Sequence, residues 1–365
     1  MTATDPQLSP ALIIGTGLIG ASIGCALVKA GVKVHLRDLV PGHVQVAASR
    51  GAGTIEEPEP QQVEMVIVAV PPDAVAQQVL TALRDFPNAT VTDVSSVKGT
   101  VLQELRAAGV DLSRYVGSHP MAGSQLSGPL TAKAELFSER TWIVTPHDTS
   151  AAHAVLAVNE LVETCGARRM ILSAAHHDEA VAQVSHLPQI VSALMAGTLN
   201  RVPPEHLSLA GQGVQDVTRI AASDPSLWEQ IIGANQVAVA RELTALAADL
   251  NELVDKFADP GALVAFLSRG QQGRGALPGK HGLAPTQFAQ VIVEIPDTPG
   301  AFAKLFADAQ AAQVNVEDIS IVHDQNRQVG YLSLHVDPAR AQSLRAAMST
   351  AGWTLREGDQ ERLWD

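Results

Sequence analysis

The stretch that decides the fold is IIGTGLIGASI, which runs from Ile13 to Ile23. Gly15, Gly17 and Gly20 form a G-x-G-x-x-G pattern between a short apolar run, predicted to be a strand, and a run with helical periodicity. Glycines at this spacing permit a tight turn, close approach of the backbone to a pyrophosphate, and close packing of helix on strand. The helix N-terminus adds free N–H groups and a positive dipole. We therefore predict a dinucleotide-binding loop.

An acidic residue, Asp38, ends the next predicted strand, where a carboxylate can hydrogen-bond an adenosine ribose. It would repel a 2′-phosphate, so the sequence favours NAD, although the neighbouring Arg37 leaves NADP open. A structural glycine turn with a surface aspartate is the alternative. The other residues assigned to the cofactor site lie in the loop or after later strands: Leu18, Ile19, Val70, Pro71 and Ser95.

The hydrophobic pattern divides the chain into three modules. Short β-rich runs alternate with amphipathic helical runs over residues 1–172, which predicts an α/β domain of Rossmann type with a doubly wound, mostly parallel sheet. Helical periodicity alone predicts an all-α domain over 173–270, and a Gly-rich stretch predicts a linker over 271–285. The order β-α-β-β-α-β over 286–365 predicts a ferredoxin-like α+β domain.

Composition limits the class of protein. The chain has 365 residues and a net charge of −13 without a basic block, which argues against a general nucleic-acid surface. No apolar run reaches the roughly 20 residues that span a bilayer, and the polar N-terminus lacks a signal-peptide pattern. Cys25 and Cys165 are too few for a disulfide framework, so we expect a cytoplasmic protein without membrane or nucleic-acid partners.

A second chemical pattern is the stretch VGSHPMAGSQLSG, Val116 to Gly128. Pro120 favours an extended conformation at His119, which makes that histidine either a polar cap on a strand end or a positioned acid/base. Ser95 and Ser96 follow the preceding predicted strand and could either cap a helix or face a ligand. Because ligands bind at the carboxyl ends of parallel strands, the convergence of these residues on one sheet edge favours an acid/base role for His119.

The helical module contains a histidine-rich stretch that does not indicate a metal site. His176 and His177 are adjacent and point in different directions on a helix, so we expect no metal, with Ser173 capping the helix start. His186 precedes Pro188, which kinks or restarts the helix, and such breaks often mark sites. Arg219 has small, apolar neighbours and needs a carboxylate, supplied either by Asp216 or by a substrate.

Five motifs in order resemble those of the prephenate/arogenate dehydrogenase family of tyrosine biosynthesis: GxGLIGASI, DVSSVKG, GSHPMAG…SG, HDEAVAQVSHLPQ and GVQDVTRIAASDPSLW. The C-terminal VEIPDTPGAFAKLF…VNVEDISI resembles an ACT domain, an amino-acid-sensing module. The resemblance covers nearly the whole chain. It implies a Rossmann domain, a helical domain that forms a homodimer, and a regulatory tail.

The resemblance also implies roles for single residues. His119 falls on the catalytic histidine of the family and Ser96 on the serine of its SVK motif, and both are taken as catalytic. Neutral His119 would accept the proton of the C4 hydroxyl of prephenate while hydride passes to NAD and the ring loses CO₂. The residues assigned to substrate binding are Arg219, His186, Ser124 and Gln125.

Three positions depart from the family pattern. Ser95 stands where the family often has glycine, and Gln189 replaces the second histidine of HLPH. Gln125 occupies a position where an acidic side chain accompanies arogenate use in this family. A neutral glutamine offers less to the ammonium group of arogenate, so prephenate is the favoured substrate and arogenate the alternative.

The ACT resemblance implies an effector site at Asp297, Gly300 and Asn315. Tyrosine is the natural effector, phenylalanine and tryptophan remain open, and a module that only oligomerises is the alternative. Two other functions fit less well. A homoserine or phosphoglycerate dehydrogenase would need other catalytic residues and domain orders, and a non-catalytic nucleotide sensor would have little use for His119, Ser96 and Arg219 together.

Overall fold

The computed structural model describes residues 8–123, 128–277, 288–296, 298–324 and 329–356. The predicted site residues Ser124, Gln125 and Asp297 therefore lie outside the described residues. The chain divides into two compact units, one ending at Val254 and the other beginning at Asp255. The predicted boundary at residue 172 falls inside the first unit, which holds both the α/β part and most of the helical part.

The first unit begins with alternating strands and helices, as predicted. The strands form a parallel sheet in the order β2-β1-β3-β4. Apolar side chains fill both faces of this sheet, because helices cover each face and exclude water from it. The elements are β1 (Ala11–Ile14), α1 (Leu18–Lys29), β2 (Val34–Arg37), α2 (Pro41–Ser49), β3 (Met65–Val68), α3 (Val75–Asp85), β4 (Thr90–Asp93) and α4 (Gly99–Ala107).

A second sheet continues the α/β part with β5 (Gly117–Pro120), β6 (Thr141–Thr145), α5 (Ala152–Thr164) and β7 (Arg168–Ile171). Strand β5 runs antiparallel to β6, and β6 runs parallel to β7. The short apolar part of RYVGS predicts a strand that ends before His119, but β5 includes His119, which lies opposite Ile143. The extended backbone that Pro120 imposes on its predecessor is compatible with strand pairing, although GSHP lacks the β-rich apolar pattern of a strand.

The helical part of the first unit confirms the predicted all-α character after residue 173. Ser173 caps its first helix by accepting a hydrogen bond from the backbone N–H of His176 at 3.2 Å, as predicted. A π-helical turn over Ala182–His186 precedes Pro188, at the predicted break. The helices are α6 (Ala174–Val181), α7 (Leu187–Thr198), α8 (Pro204–Leu207), α9 (Gln212–Thr218), α10 (Pro225–Ala234) and α11 (Gln236–Asp255).

The second unit contains an antiparallel sheet in the order β11-β8-β10-β9, with apolar residues of its strands and helices forming a separate core. Its β-α-β-β-α-β order from residue 289 onward is the predicted one. The elements are α12 (Pro260–Gly275), β8 (Ala289–Pro296), α13 (Ala301–Ala311), β9 (Asp318–Asp324), β10 (Val329–Val336), α14 (Pro338–Thr350) and β11 (Thr354–Arg356).

Helix α12 corrects the predicted linker, because it continues to Gly275 while the linker was expected from residue 271. A glycine costs about 1 kcal/mol relative to alanine inside a helix, which lowers helix propensity without forbidding the helix. Across the described ranges, no helix combines the length and the apolar character needed to cross a bilayer.

Candidate active site

The glycine loop between β1 and α1 has space for a ligand on one side only. A Cβ added to Gly20 would lie 1.9 Å from the carbonyl oxygen of Gly15, so this position requires glycine. A Cβ added to Gly17 would meet no atom within 4 Å, so the backbone is open there. No side chain in the described part of the chain caps α1. An open backbone beside an uncapped helix N-terminus fits a pyrophosphate group.

The carboxylate of Asp38 is fixed at the end of β2. One oxygen accepts hydrogen bonds from the backbone N–H (2.6 Å) and the hydroxyl (2.9 Å) of Thr16, and the other accepts from the N–H of Val40 (2.9 Å). Arg37 is engaged elsewhere, because its guanidinium lies 2.5 Å from a carboxylate oxygen of Glu57 and stacks over Phe86. The ribose end of the predicted cofactor site therefore presents a carboxylate, and the nearby arginine is already paired.

A buried ion pair lies beneath the loop that follows β4. Asp93 and Lys98 are fully buried and in direct contact. The hydroxyl of Tyr115 donates to the second carboxylate oxygen of Asp93 at 2.7 Å. Desolvation lowers the pKa of Lys98, and the attraction of Asp93 opposes that shift. The pair fixes the turn that leads into α4.

His119 is joined to helix α6 by a chain of hydrogen-bonding groups. Its Nδ1 lies 2.8 Å from Nε2 of His177, and Nδ1 of His177 lies 2.8 Å from a carboxylate oxygen of Asp178. Asp178 also accepts the backbone N–H groups of Lys98 (2.9 Å) and Gly99 (2.7 Å) at the start of α4. A Cβ on Gly99 would lie 2.6 Å from this carboxylate, so glycine permits its approach.

The electrostatics of this cluster favour neutral histidines. Although His119 is only partly buried as a residue, loss of hydration lowers its pKa well below the ordinary value, and nearby His177, Lys98 and His186 lower it further. Burial lowers the pKa of His177 against the attraction of Asp178. At neutral pH, His119 is therefore a neutral ring with one nitrogen that can accept a proton.

His186 belongs to the same cluster. Its Nδ1 lies 3.2 Å from the side-chain nitrogen of Asn235, which also donates to the backbone carbonyl of Asp178 at 2.8 Å. The ring stands edge-on to Trp228, with ring centroids 6.1 Å apart. Desolvation lowers the pKa of His186 to about 4.

Comparisons with known proteins identify the family. A family model described as "Prephenate dehydrogenase, nucleotide-binding domain" matches residues 23–171, and one described as "Prephenate dehydrogenase, dimerization domain" matches residues 173–260. The protein named "Probable prephenate dehydrogenase NovF" of Streptomyces niveus is 35% identical to 94% of this chain, over 98% of its own length. The chain belongs to the prephenate dehydrogenase family.

Two further matches support this membership of the prephenate dehydrogenase family. The prephenate dehydrogenase of Lactococcus lactis subsp. cremoris is 27% identical over 92% of this chain and 95% of its own length. The crystal structure of prephenate dehydrogenase from A. aeolicus in complex with hydroxyphenyl propionate and NAD+ matches with a TM-score of 0.66 and 28% identity. That match covers 73% of this chain and 97% of the other.

Ser95 and Ser96 were predicted to bind the cofactor and to take part in catalysis in this member of the prephenate dehydrogenase family, but their observed contacts are different. The hydroxyl of Ser95 lies 2.6 Å from the Asp93 carboxylate and 2.9 Å from the carbonyl of Val97, so it braces the loop. Ser96 is half-buried beside it, but the partner of His119 Nδ1 is His177. Cofactor binding by Ser95 and catalysis by Ser96 remain predictions.

Arg219 lines a surface groove of the helical part. Arg219 is exposed on the wall of a groove of about 330 Å³ that Ser192, Asp216 and Leu246 also line and that His119 does not. The small, apolar neighbours of Arg219 predict a buried setting, but the residue is exposed within this chain. The small neighbours of Arg219 belong to short helical turns at the surface, and local composition does not reveal which turns are covered.

The roles of the remaining predicted residues stay predictions, and the structure gives their location and exposure. Leu18 and Ile19 are half-buried at the start of α1, while Val70 and Pro71 follow β3 and are partly or fully exposed. Gly300 precedes α13 with a φ of +88°, in the left-handed region that favours glycine. The strand-like run that begins at Asn315 predicts a strand start there, but β9 begins at Asp318, and the side chain of Asn315 donates to Glu317 at 2.6 Å.

Sequence reasoning missed the residues that support His119. His177 was considered only as a metal ligand, and Asp178, Asn235 and Asp93 were not singled out. The available signal was the HD pair at His177 and Asp178, one turn after the capping Ser173, where adjacent polar residues stand at the start of a helix. Among the described residues, no His, Cys, Asp and Glu side chains group into a set of three or more that could hold a metal.

The lowered pKa values of three histidines predict that acid weakens folding. His119, His177 and His186 have lowered pKa values in the folded chain, so the unfolded chain binds more protons once the pH falls below about 6.5. This contribution to stability is fully present above that pH and, for His186, is lost progressively towards about pH 4.

Urea denaturation at several pH values measures this dependence. We expect the free energy of unfolding to fall from about pH 6.5 to about pH 5, and to fall less steeply in His186→Gln. The exposed His153→Gln serves as the control and should keep the wild-type slope. A slope that is the same in wild type and His186→Gln would contradict the prediction.

Proposed function

We propose that this chain is an NAD-dependent prephenate dehydrogenase that converts prephenate into 4-hydroxyphenylpyruvate and CO₂. The observation that carries the proposal is the position of His119 in β5, where its Nδ1 lies 2.8 Å from Nε2 of His177, in a chain that belongs to this family. The side chain of Ser118 donates to the carbonyl of Asp93 at 3.0 Å, which places His119 beside the carboxyl end of β4. This is the edge of the sheet where the glycine loop also lies.

The chemistry assigned to His119 is transient proton transfer. Bound NAD supplies the hydride acceptor for C4 of the substrate. Nε2 of His119 accepts the hydrogen bond of the C4 hydroxyl and takes its proton as that oxygen gains carbonyl character. His119 returns the proton to the oxygen when loss of CO₂ makes the ring aromatic. The low pKa of His119 keeps its ring neutral, with one ring nitrogen able to accept a proton, before each turnover.

Substrate binding is assigned to polar groups of the helical part. Arg219 offers a guanidinium on the groove wall, and such a group binds a carboxylate with two hydrogen bonds. His186 is linked through Asn235 to the backbone of Asp178, which holds His177 and thereby His119. Ser124 and Gln125 remain proposed substrate contacts outside the described residues.

Assays with both ring substrates test the proposal and its alternative. We expect kcat/KM for prephenate to exceed that for arogenate, because neutral Gln125 cannot pair with the arogenate ammonium. A comparable kcat/KM for arogenate would contradict this preference. Oxidation of neither substrate with NAD or NADP would contradict the proposed function.

A homodimer is proposed for the helical part, which matches a dimerisation-domain model. Its helices carry exposed apolar side chains that a partner subunit would cover, and light scattering of the full chain should give twice the mass of 38.3 kDa. A monomeric mass at micromolar concentration would contradict the proposal. The exposed residues include Val184, Leu194, Leu209, Val217 and Leu250.

Regulation is proposed for the C-terminal unit. Its β-α-β-β-α-β order and the left-handed Gly300 before α13 support an ACT domain that binds an aromatic amino acid, with tyrosine favoured. Asp297 and Asn315 complete the proposed site. Calorimetry of the full chain with tyrosine, phenylalanine and tryptophan tests it, and absence of heat with all three would favour a module that only oligomerises.

Cofactor choice gives a specific prediction at Asp38. We expect Asp38→Asn, which can keep the contacts to Thr16, to raise KM for NAD about tenfold to a hundredfold, because a charge-assisted hydrogen bond contributes about 1.5–3 kcal/mol. KM for NADP should fall because the repulsive charge is gone. The exposed Asp85→Asn is the matched control. An unchanged ratio of the two KM values would refute the assignment.

A further inference from the structure

We infer that His177, tethered by Asp178, is a positioning residue that holds His119 in the tautomer with its proton on Nδ1 and a free lone pair on Nε2. The inference deepens the proposed function and rests on it. It gives a function to the HHD stretch of α6, which the sequence pattern indicated is not a metal site.

The hydrogen-bond pattern allows one assignment of protons. Nδ1 of His177 lies 2.8 Å from a carboxylate oxygen of Asp178, so this nitrogen must donate. A neutral His177 then has a lone pair on Nε2. That lone pair lies 2.8 Å from Nδ1 of His119, so Nδ1 of His119 must donate in turn. The remaining nitrogen of His119, Nε2, is left as the base.

The tether is fixed at its far end. Asp178 accepts two backbone N–H groups, those of Lys98 and Gly99, at the N-terminus of α4. Asn235 holds the backbone carbonyl of Asp178. An anchored carboxylate cannot rotate away from His177, so the orientation of both rings is determined by the backbone of α4.

The charges around the two rings agree with neutral histidines. His119 faces His177 from α6, Lys98 from the turn before α4 and His186 from the π-helical turn. His177 faces Asp178 and Lys98, and Asp93 lies within range of it and pairs with Lys98. A positive charge on His177 would be repelled by Lys98. A neutral His177 can donate its one proton to Asp178 and accept a hydrogen bond from His119.

Nuclear magnetic resonance of the ring nitrogens in free wild-type protein tests the tautomer directly. We expect the proton of His119 on Nδ1. A proton on Nε2 of His119 in the free protein would overturn the inference. This measurement needs no substrate, so it separates the inference from the proposed function. Absence of wild-type activity with prephenate would contradict the function, and the tautomer measurement would still decide the assignment of protons.

Kinetics of variants test the consequence. His177→Leu should lower kcat at least about tenfold, a part of the whole effect of a general base, with KM for prephenate nearly unchanged. His177→Gln, whose side-chain oxygen can accept from Nδ1, should restore most of kcat. The adjacent, exposed His176→Leu is the matched control and should behave as wild type. Wild-type kcat in His177→Leu, or failure of a folded His177→Gln to exceed His177→Leu, would overturn the inference.

Discussion

Replacing His119 by asparagine is expected to lower kcat about 10²- to 10⁴-fold, the range that general acid–base catalysis contributes. The asparagine side chain can still fill the site in β5 and can donate to Nε2 of His177, but it cannot take a proton. KM for NAD should remain close to wild type, because the glycine loop and Asp38 follow β1 and β2, whereas His119 belongs to β5 of the other sheet. The expected signature is therefore a loss in kcat with cofactor binding preserved.

Steady-state kinetics and calorimetric titration with NAD measure the two halves of this prediction. The exposed His153→Asn on α5 controls for the substitution itself and should change neither. A His119→Asn protein that binds NAD and keeps more than about a tenth of wild-type kcat would show that His119 is a structural cap.

Replacing Asp93 by alanine is expected to lower the free energy of unfolding by about 3–5 kcal/mol. Lys98 would then be a charge that is fully buried and has lost its partner, and Tyr115 would lose the acceptor of its hydroxyl. This loss is a large part of the roughly 5–15 kcal/mol that holds a typical domain folded. The ion pair is thus expected to be required for stability, because removing one partner leaves the other charge buried without compensation.

Urea denaturation of three variants tests this reasoning. Glu135→Ala, which breaks an exposed pair with Lys29 whose side chains are 65% and 67% accessible, should cost less than about 1 kcal/mol. The double variant Asp93→Ala with Lys98→Met should be more stable than Asp93→Ala alone, because it removes the uncompensated charge. An Asp93→Ala protein within about 1 kcal/mol of wild type would contradict the prediction.

The features predicted correctly from the sequence depend on local patterns. Strands β1 to β4 and the loop at Gly15 follow from apolar periodicity and glycine spacing, both of which act within a few residues. The extended backbone at His119 follows from Pro120 in the same way. The helix cap at Ser173 and the π-helical turn before Pro188 are also local consequences of residue type.

The features that were missed depend on contacts distant in sequence. His119 and His177 are 58 residues apart, and the contact between Lys98 and Asp178 spans 80 residues. No local pattern specifies which helix packs against β5, so the contacts that join His119, His177 and Asp178 could not be predicted from the sequence. The exposure of Arg219 was missed for a related reason, since neighbouring small residues occur on both covered and open turns.

The most direct test of the central claim is the stoichiometry of the reaction. Purified full-length protein is incubated with NAD and prephenate, NADH is followed by its absorbance, and 4-hydroxyphenylpyruvate is quantified by chromatography. We predict equimolar NADH and 4-hydroxyphenylpyruvate, with both greatly reduced in His119→Asn. Consumption of prephenate without NADH, or no consumption by folded protein that binds NAD, would contradict the claim that His119 serves an NAD-dependent oxidation of prephenate.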